Sequence, residues 1–549
     1  MVGYSGSGYR IWDPETDKVM ISTDVTFDEK LTKFDKEIIS DQTEPKRIIT
    51  ESQDEEETPQ TSEQSDKEKS VTTRSGRIIK PPKYQEDYEL YSVYCLFTNG
   101  EDPVSYNQAI KQKECKEAID KEIRSHEELK TWSSIKLREK SNIKPIDTKW
   151  IFRTKEDGTK KARLVAKGFQ MEESSDIIDL HQSTTRSESR KWKIFKLNKA
   201  LHGLRESPKT WNNKFIEIAS KYNFTRSLND SCLYINDNTW IVLYVDDLLI
   251  TGKRDNIDKV IEIFKQEFNA KDLGKVTNFV GMEISRESGK LMIKQTKFIN
   301  KILEKFNMTE CKRVDTPMEL NFQAEQNQED IKVPYRQLIG SLLYVATITR
   351  PDIMFPVSYL SRTLDKPTQA TWKAAKRIVR YLMATKDIGL IYTISSNNLI
   401  SYSDSDWARD KIDRKSTSGN IVLHGSNAVS WFYKKQGCVS LSTAEAEYVA
   451  AAASIQDLVH LKEINKDFSS FEDTTLLVDN KSAICMAKTF GNSKRSKHID
   501  IRTHYIKDLL AKDIIKIDYI EGCRNIADML TKPLCKDMLN KFMKLSNMG

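Results

Sequence analysis

The stretch YSDSDWA, residues 402–408, decides the fold of the last quarter of this chain, because an apolar run ends here on a charged side chain, Asp404. Three further segments place an acid in a comparable position: STAEAEY (442–448), LLVDN (476–480) and NIADMLTKPL (525–534). The acids of these segments are Glu447, Asp479 and Asp528. A carboxylate at the end of an apolar strand, or on an apolar helix, is costly unless another group neutralises it.

Four such acids repel one another when they are drawn together, unless a cation lies among them. A pair of divalent ions about 3.5–4 Å apart neutralises such a set and promotes in-line attack on a phosphodiester. We therefore expect Asp404, Glu447, Asp479 and Asp528 to be metal ligands and catalytic residues. Asp406 is an alternative to Asp404, which we prefer because it ends the apolar strand. A metal-independent scaffold would leave the four acids unexplained.

The elements around these acids follow an order typical of a mixed sheet covered by helices. Ser442 and Glu445 have the spacing of a capping box that opens the helix of Glu447. Acids at the strand ends then meet at one edge of the sheet. The predicted order is strand 399–404, strands GNIVLHG and AVSWFYK, the helix of Glu447, strand 475–479, helix 481–488, helix 498–512, strand 514–520 and a last helix with Asp528.

Length and composition place few limits on function. The 549 residues suffice for several domains, and the net charge of +7 is too small to identify a polyanion-binding protein by itself. The eight cysteines show no CxxC spacing, which favours free thiols in a reducing compartment and argues against structural zinc. No segment has the length of a signal-peptide core or a bilayer span. We expect a cytoplasmic or nuclear protein without a membrane partner.

The first half of the chain changes character twice. Residues 1–29 predict short strands, and the acidic, aliphatic-poor segment that follows predicts a disordered linker. TKWIFRTKEDGTKKARLVAKGF, residues 148–169, then predicts a β-hairpin with a turn at Asp157-Gly158. Its basic residues indicate either phosphate contacts or an ordinary exposed sheet, and both readings stay open here. They are Lys149, Arg153, Lys155, Lys160, Lys161, Arg163 and Lys167.

A second hairpin carries two adjacent acids. In LYVDDLLITG, residues 243–252, apolar runs flank Asp246 and Asp247, which predicts a tight hairpin with both carboxylates at its tip. Adjacent acids at a turn are often turn formers only. The flanks are so apolar that we expect this hairpin to be buried and the acids to lie at the edge of a core, a position that favours metal binding.

Taken together, these strings resemble the Pol polyprotein of copia-type long-terminal-repeat retrotransposons over nearly the whole chain. GYRIWDPETDKVMISTDVTFDE resembles the end of its integrase region. The other segments resemble its reverse transcriptase, the segment that joins polymerase to nuclease, and its ribonuclease H domain. They are TKWIFRTK, KARLVAKGF, KALHGLRESPKTW, LYVDDLLITG, LGKVTNFVGMEI, YRQLIGSLLYVATITRPDI, YSDSDWARD, RKSTSG, STAEAEY, KHIDIRTHYI and NIADMLTKPL.

The resemblance implies an α+β right-hand reverse transcriptase of fingers, palm and thumb, followed by an α/β ribonuclease H-like domain. The implied domains are an integrase remnant (1–29), a disordered acidic linker (30–100), fingers and palm (101–310), thumb and connection (311–395) and the ribonuclease H-like domain (396–549). The resemblance makes Asp246 and Asp247 the palm carboxylates that hold Mg2+ or Mn2+. Arg163, Gly203 and Ser207 would bind the nucleotide. Asp404, Glu447, Asp479 and Asp528 would be the nuclease acids.

One departure from the family pattern concerns the palm. The family has a further metal-binding Asp there, inside a string resembling MDVxxAFLxG, and no such string occurs in residues 170–200. Asp176 and Asp179 lie in a polar, strand-poor context and are poor substitutes. The chain therefore resembles an internally deleted polyprotein, with the deletion between about residues 170 and 195.

The expected function follows from this deletion in the palm and from the presence of all four nuclease acids. We expect DNA synthesis to be severely reduced or absent and RNA–DNA hybrids to be hydrolysed. The expected partners are an RNA template, a DNA primer and RNA–DNA hybrid, with dNTPs only if the polymerase is functional. The alternative is an inactive relic, or a nucleic-acid-binding protein without catalysis.

Overall fold

The computed structural model describes the chain in segments and divides it into two units, Met1–Tyr88 and Glu89–Gly549. In the first unit it describes only short strands. In the second it describes residues 102–135, 145–154, 158–171, 177–179, 194–268, 270–324, 331–409, 413–468, 473–488 and 500–549. None of the helices in these segments is long and apolar enough to cross a membrane.

The first unit contains a small antiparallel sheet. Its strands are β1 (Gly3–Ser5), β2 (Gly8–Asp13) and β3 (Lys18–Ser22), in the order β1-β2-β3. These are the short strands predicted for residues 1–29. The predicted disordered linker lies outside the described residues, apart from β4 (Val71–Thr72) and β5 (Ile78–Ile79), which pair with each other.

The second unit begins with two helices against a five-stranded sheet of order β6-β10-β9-β7-β8. The predicted basic hairpin is present as β7 and β8. Strand β9 pairs with β10 and, in parallel, with β7, so Asp179 lies in a strand and its predicted strand-poor context was wrong. Asp176 lies outside the described residues. The elements are α1 (Tyr106–Ala109), α2 (Lys113–Glu128), β6 (Trp132–Ile135), β7 (Ile146–Thr154), β8 (Lys160–Ala166), β9 (Ile177–Asp179) and β10 (Ile194–Leu197).

A four-stranded antiparallel sheet of order β11-β12-β13-β14 follows, with helices α3 and α4 packed on it. Phe215 of α3 stacks on Phe264 of α4, and Ile241 and Leu243 of β13 are buried in the same core. The elements are α3 (Ser207–Lys221), β11 (Thr225–Arg226), β12 (Leu233–Asn236), β13 (Thr239–Tyr244), β14 (Asp247–Gly252) and α4 (Arg254–Phe268).

The next segment combines a small sheet with four helices and shares a core with the last lobe. Strands β15 (Asn278–Phe279), β16 (Met282–Glu287), β17 (Lys290–Lys294) and β18 (Leu390–Tyr392) form a small sheet in that order. The helices are α5 (Thr296–Lys305), α6 (Tyr335–Ile348), α7 (Met354–Ser361) and α8 (Gln369–Ala384).

The last lobe is a five-stranded mixed sheet of order β21-β20-β19-β22-β23. Strands β19 to β21 are antiparallel, whereas β22 runs parallel to β19 and β23 parallel to β22. This is the predicted ribonuclease H-like topology. The elements are β19 (Asn398–Asp406), β20 (Thr417–His424), β21 (Asn427–Lys435), α9 (Thr443–Asn465), β22 (Asp473–Val478), α10 (Lys481–Lys488), α11 (Asp500–Ala511), β23 (Lys516–Tyr519) and α12 (Lys536–Leu545).

Three local predictions for this lobe need correction. Strand β19 continues past Asp404 to Asp406. Asp528 lies on a 3-10 helix, Ile526–Leu530, rather than an α-helix, since Pro533 cannot continue a helix. Ser442 accepts from the backbone N–H of Glu445, but the Glu445 carboxylate accepts from Leu441 instead of Ser442, so the capping box is not reciprocal.

A fully buried ion pair lies between helices α6 and α7, in the segment that precedes the last lobe. The Arg350 guanidinium donates to both carboxylate oxygens of Asp352, at 2.9 and 2.7 Å, and to the carbonyl of Thr385 at 2.8 Å. The Tyr381 hydroxyl donates to Asp352 at 2.7 Å. Because the polar groups satisfy one another, the pair tolerates full burial.

Removing one partner of this pair should therefore be strongly destabilising. For Asp352→Asn we expect a loss of about 3–5 kcal/mol in the free energy of unfolding, because Arg350 is left as an uncompensated buried charge. Urea denaturation of the full chain measures this change. The matched control is Asp365→Asn, which breaks the exposed Arg336–Asp365 pair and should cost about 0–1 kcal/mol. If both variants lost the same free energy of unfolding, the buried Arg350–Asp352 pair would not have the structural role that we give it.

Candidate active site

Three of the four predicted nuclease acids converge in the structure. Single carboxylate oxygens of Asp404, Glu447 and Asp479 all lie within 4.8 Å of one another. Asp404 comes from the central strand β19, Asp479 directly follows the neighbouring strand β22, and Glu447 comes from helix α9. The parallel pairing of β19 with β22 brings Asp404 and Asp479 to the same edge of the sheet.

Helix α9 can press Glu447 against this edge because its side chains are small where it meets the sheet. Every residue of the helix from Glu445 to Ala452 is buried, and Ala446, Ala450 and Ala451 are almost inaccessible to solvent. One carboxylate oxygen of Glu447, Oε1, accepts from the backbone N–H of Ser405 at 3.1 Å. The other, Oε2, is buried and has no hydrogen-bond partner among the described residues.

Asp528 lies beside this trio and is connected to it by a lysine. Lys532 Nζ lies 2.8 Å from Asp528 Oδ1 and 3.7 Å from Asp404 Oδ2. The Thr531 hydroxyl donates to Asp404 Oδ2. The structure therefore brings all four predicted acids into one neighbourhood, but it groups Asp404, Glu447 and Asp479 more tightly than Asp528.

The electrostatics of the cluster reflect an excess of negative charge. Burial, followed by the charges of Asp404 and Asp479, raises the pKa of Glu447 to about 10. Burial and Asp404 raise the pKa of Asp528 to about 7, although Lys532 opposes this rise. Burial also raises the pKa of Asp479, with Asp404 as the next cause. A site of this kind takes up either protons or a cation.

Asp406, the alternative ligand, has a different partner. Its carboxylate forms an ion pair with Arg409 at 3.1 Å, and burial raises its pKa. The geometry places Asp404, rather than Asp406, with Glu447 and Asp479.

The segment that carries Asp528 is held close to β19 by a hydrogen bond from the side chain of Asn525. The Asn525 amide donates to the carbonyl of Ser403 at 2.9 Å. Gly419, which pairs with Asp404 across β19 and β20, makes room for Thr531: a Cβ at Gly419 would lie 2.6 Å from Thr531 Cγ2. A side chain at Gly419 would therefore push this segment away from the acids.

The two acids of the other hairpin have a more open environment. They lie at its tip, as predicted: Val245 and Asp246 form the turn, and Asp247 pairs with Tyr244. The expectation that the hairpin is buried was wrong for β14, which has no buried residue, and both acids are exposed. Burial and the neighbouring Asp246 raise the pKa of Asp247. In the described part of the chain, β13 is the only strand that pairs with β14, and no metal-ligating trio includes these acids.

The predicted nucleotide-binding residues surround a loop next to this hairpin. Gly203 has φ +94° and packs against the carbonyl of Ala166, where a Cβ would lie 2.1 Å away. The Ser207 hydroxyl donates to the carbonyl of Leu201 at 2.6 Å. Burial and Arg163 lower the pKa of His202 in this loop, whereas Asp246 raises it, so Arg163 and Asp246 act on the same imidazole.

The register of the β7–β8 hairpin places four of its basic residues on one face. Trp150 and Leu164 point into the core, so Lys149, Arg153, Lys161 and Arg163 share the opposite face of the hairpin. We call these four residues the basic face.

Two other basic residues of the hairpin have acidic partners. Lys160 lies 3.9 Å from Asp102, and Lys167 lies 3.3 Å from Asp147. Lys155 lies outside the described residues.

The sequence of this chain is similar to those of known proteins. A family model described as "Reverse transcriptase (RNA-dependent DNA polymerase)" matches residues 180–320, and one described as "Retroviral polymerase SH3-like domain" matches residues 1–41. The chain is 31% identical over 524 residues to the Retrovirus-related Pol polyprotein from transposon TNT 1-94 of Nicotiana tabacum, covering 81% of this chain and 39% of the relative. It is 30% identical to a putative transposon Ty5-1 protein of Saccharomyces cerevisiae, covering 48% of this chain and 90% of the relative.

The chain contains a region that matches the reverse transcriptase family model, and it is followed by a lobe whose mixed sheet has the predicted ribonuclease H-like topology. An N-terminal ribonuclease H domain from Mycobacterium tuberculosis aligns with 27% of this chain and 96% of its own, at 18% identity and a TM-score of 0.19. The chain belongs to the Pol polyprotein family of copia-type retrotransposons. It spans about two fifths of the length of the tobacco relative.

The sequence patterns missed the groups that surround the acids. Thr531, Lys532 and Asn525 contact the cluster or its strand, yet no pattern distinguished them from the other residues of the helix predicted around Asp528. The spacing of Asp528 and Lys532, four residues apart, was the one available signal, since such pairs meet on a helical turn.

The raised pKa of Glu447 predicts a specific pH dependence in the presence of a chelator. Between the ordinary carboxyl pKa and about 10, the folded chain keeps a proton that the unfolded chain has released. The free energy of unfolding should therefore fall as the pH rises from 6 to 9, and Glu447→Gln should flatten this dependence. Urea denaturation at each pH measures it.

The matched control for this experiment is Glu463→Gln, an exposed acid in the same helix that pairs with Lys466. This variant should keep the wild-type dependence on pH. A Glu447→Gln chain with the same pH dependence as the wild type would show that Glu447 is not the protonated group.

Proposed function

We propose that the last lobe hydrolyses the RNA strand of RNA–DNA hybrids with divalent metal ions, Mg2+ or Mn2+. Asp404, Glu447 and Asp479 would hold the ions, and Asp528 would complete the site. The observation that carries this proposal is the trio of carboxylate oxygens within 4.8 Å of one another, in which Asp404 and Glu447 are buried and Asp479 is half-buried. Family membership supports the type of substrate.

The residues present suit such an ion. All the donors are carboxylate oxygens, which hard divalent cations prefer. The buried Oε2 of Glu447, without a hydrogen-bond partner among the described residues, is a ligand atom in need of a positive charge. When bound, the ions supply an activated water and neutralise charge that develops on the phosphodiester. Ser405 holds the Glu447 carboxylate in place through its backbone N–H.

The hybrid would be recognised by its shape. Proteins contact such duplexes through phosphates and 2′-hydroxyl groups, with little reading of bases. The basic face of the β7–β8 hairpin is positively charged, so it could contact the phosphates of the template or primer. We therefore propose that RNA and DNA strands are the partners of this chain.

The polymerase region has fewer candidate metal ligands than the last lobe. Phosphoryl transfer requires two metals held by several ligands, whereas Asp246 and Asp247 are exposed and β14 has one neighbouring strand among the described residues. We propose that DNA synthesis from dNTPs is severely reduced or absent. The basic face favours a second candidate function for this region, which is nucleic-acid binding without synthesis.

Hybrid cleavage tests the nuclease proposal directly. The full chain with Mg2+ should cut a labelled RNA–DNA hybrid, and Asp404→Asn should lower the rate by at least about 100-fold, because one metal ligand is lost. Asp473→Asn is the matched control: this exposed acid starts β22, pairs with Lys516 and should leave the rate unchanged.

Two results would contradict the nuclease proposal. One is a full chain that leaves the hybrid intact with both Mg2+ and Mn2+. The other is an Asp404→Asn variant that cleaves at the wild-type rate. Loss of cleavage in Asp406→Asn alone would instead reassign the ligand to Asp406.

Nucleotide incorporation tests the polymerase proposal. On a primed RNA template with dNTPs and Mg2+, the full chain should extend the primer no faster than its Asp246→Asn variant, because the hairpin acids lack further ligands. The measurement is primer extension resolved on a gel. Clear extension by the wild-type chain that Asp246→Asn abolishes would contradict the proposal.

A further inference from the structure

The acid cluster already contains a positive charge of its own. In the described part of the chain, Lys532 is the only cationic side chain that forms an ion pair with Asp404, Glu447, Asp479 or Asp528. Its Nζ lies 2.8 Å from Asp528 Oδ1 and 3.7 Å from Asp404 Oδ2. Both carboxylates are almost inaccessible to solvent, so water screens their attraction to the Lys532 ammonium group only weakly.

The backbone around Lys532 is fixed, so its position is built into the lobe. Its N–H donates to the carbonyl of Asp528 at 3.1 Å. The preceding residue, Thr531, donates its hydroxyl to Asp404 and packs against Gly419, which has no side chain to obstruct it. The side chain of Lys532 is nevertheless 39% exposed, so it has a route to solvent.

We propose that Lys532 is the resident counter-charge of this site and competes with the divalent ion for Asp404 and Asp528. Without metal, the ammonium group neutralises these two acids. An ion that binds to Asp404 would lie within a few ångströms of this ammonium group, and the repulsion drives Lys532 towards solvent. Lys532 thus sets the metal concentration at which the site fills. This inference rests on the proposed function, because it takes the acids to be metal ligands.

The test measures Mn2+ binding rather than cleavage. Isothermal titration of the full chain with Mn2+ alone, at pH 7, gives a dissociation constant for wild type and for Lys532→Gln. We expect Lys532→Gln to bind Mn2+ about tenfold more tightly, because a competing charge is removed. In EDTA the same variant should melt at a lower temperature than wild type, because its acids are no longer neutralised.

Two further variants separate charge from structure. Lys536→Gln removes an equal charge four residues away, where Lys536 pairs with the exposed Asp315, and should bind Mn2+ like wild type. Lys532→Arg keeps a cation at the site and should also bind like wild type, which preserves the test if Lys532→Gln does not fold.

The possible failures are distinguishable. Unchanged or weaker Mn2+ binding by Lys532→Gln overturns the role of Lys532, and so does tighter binding by Lys532→Arg. If wild type and Asp479→Asn bind Mn2+ identically, the acids are not the ligands, and the proposed function fails together with the inference.

Discussion

The mutual repulsion of carboxylates held at one edge of a sheet is the constraint on which the last lobe depends. Asp404 and Asp479 meet there because β19 and β22 run parallel, and Glu447 is pressed between them by an alanine-rich helix. A protein core does not hold three such charges without compensation. The compensation is partial: burial and the neighbouring acids raise the pKa of Glu447 to about 10, which favours its neutral form, and the ammonium group of Lys532 lies beside Asp404. A divalent cation satisfies the same oxygens more completely, and this difference in free energy would drive metal binding.

The polymerase hairpin shows the opposite situation. Asp246 and Asp247 are also adjacent acids on an apolar support, but their tip is open to solvent, so water already stabilises their charges. The scaffold around them is intact: the Trp211 indole donates to the carbonyl of Val245 at 2.5 Å, and helices α3 and α4 pack tightly under the sheet. What this hairpin lacks, in the described part of the chain, is a neighbouring strand on the far side of β14. A folded support with few ligands agrees with the internal deletion that we infer from the sequence.

Much of the fold could be predicted from the sequence, because apolar periodicity fixes which elements form. The helix at 481–488, the strand leading to Asp479 and the basic hairpin were all predicted this way. The pattern of charges could not show where each side chain ends up. Thr531 and Lys532 lie in a turn before Pro533 that resembles a solvated surface, and only the absent side chain of Gly419 allows this turn to reach Asp404. Likewise, apolar flanks predict a buried β13 but not an exposed tip, since exposure depends on which neighbours pack there.

If the acids of the last lobe hold a divalent ion, X-ray diffraction can locate that ion among them. Crystals of the full chain soaked in Mn2+ and measured at the manganese absorption edge give a map of the bound metal alone. We predict an anomalous peak among the carboxylates of Asp404, Glu447 and Asp479. A map without a peak there, with the three side chains turned towards separate faces of the lobe, would contradict it.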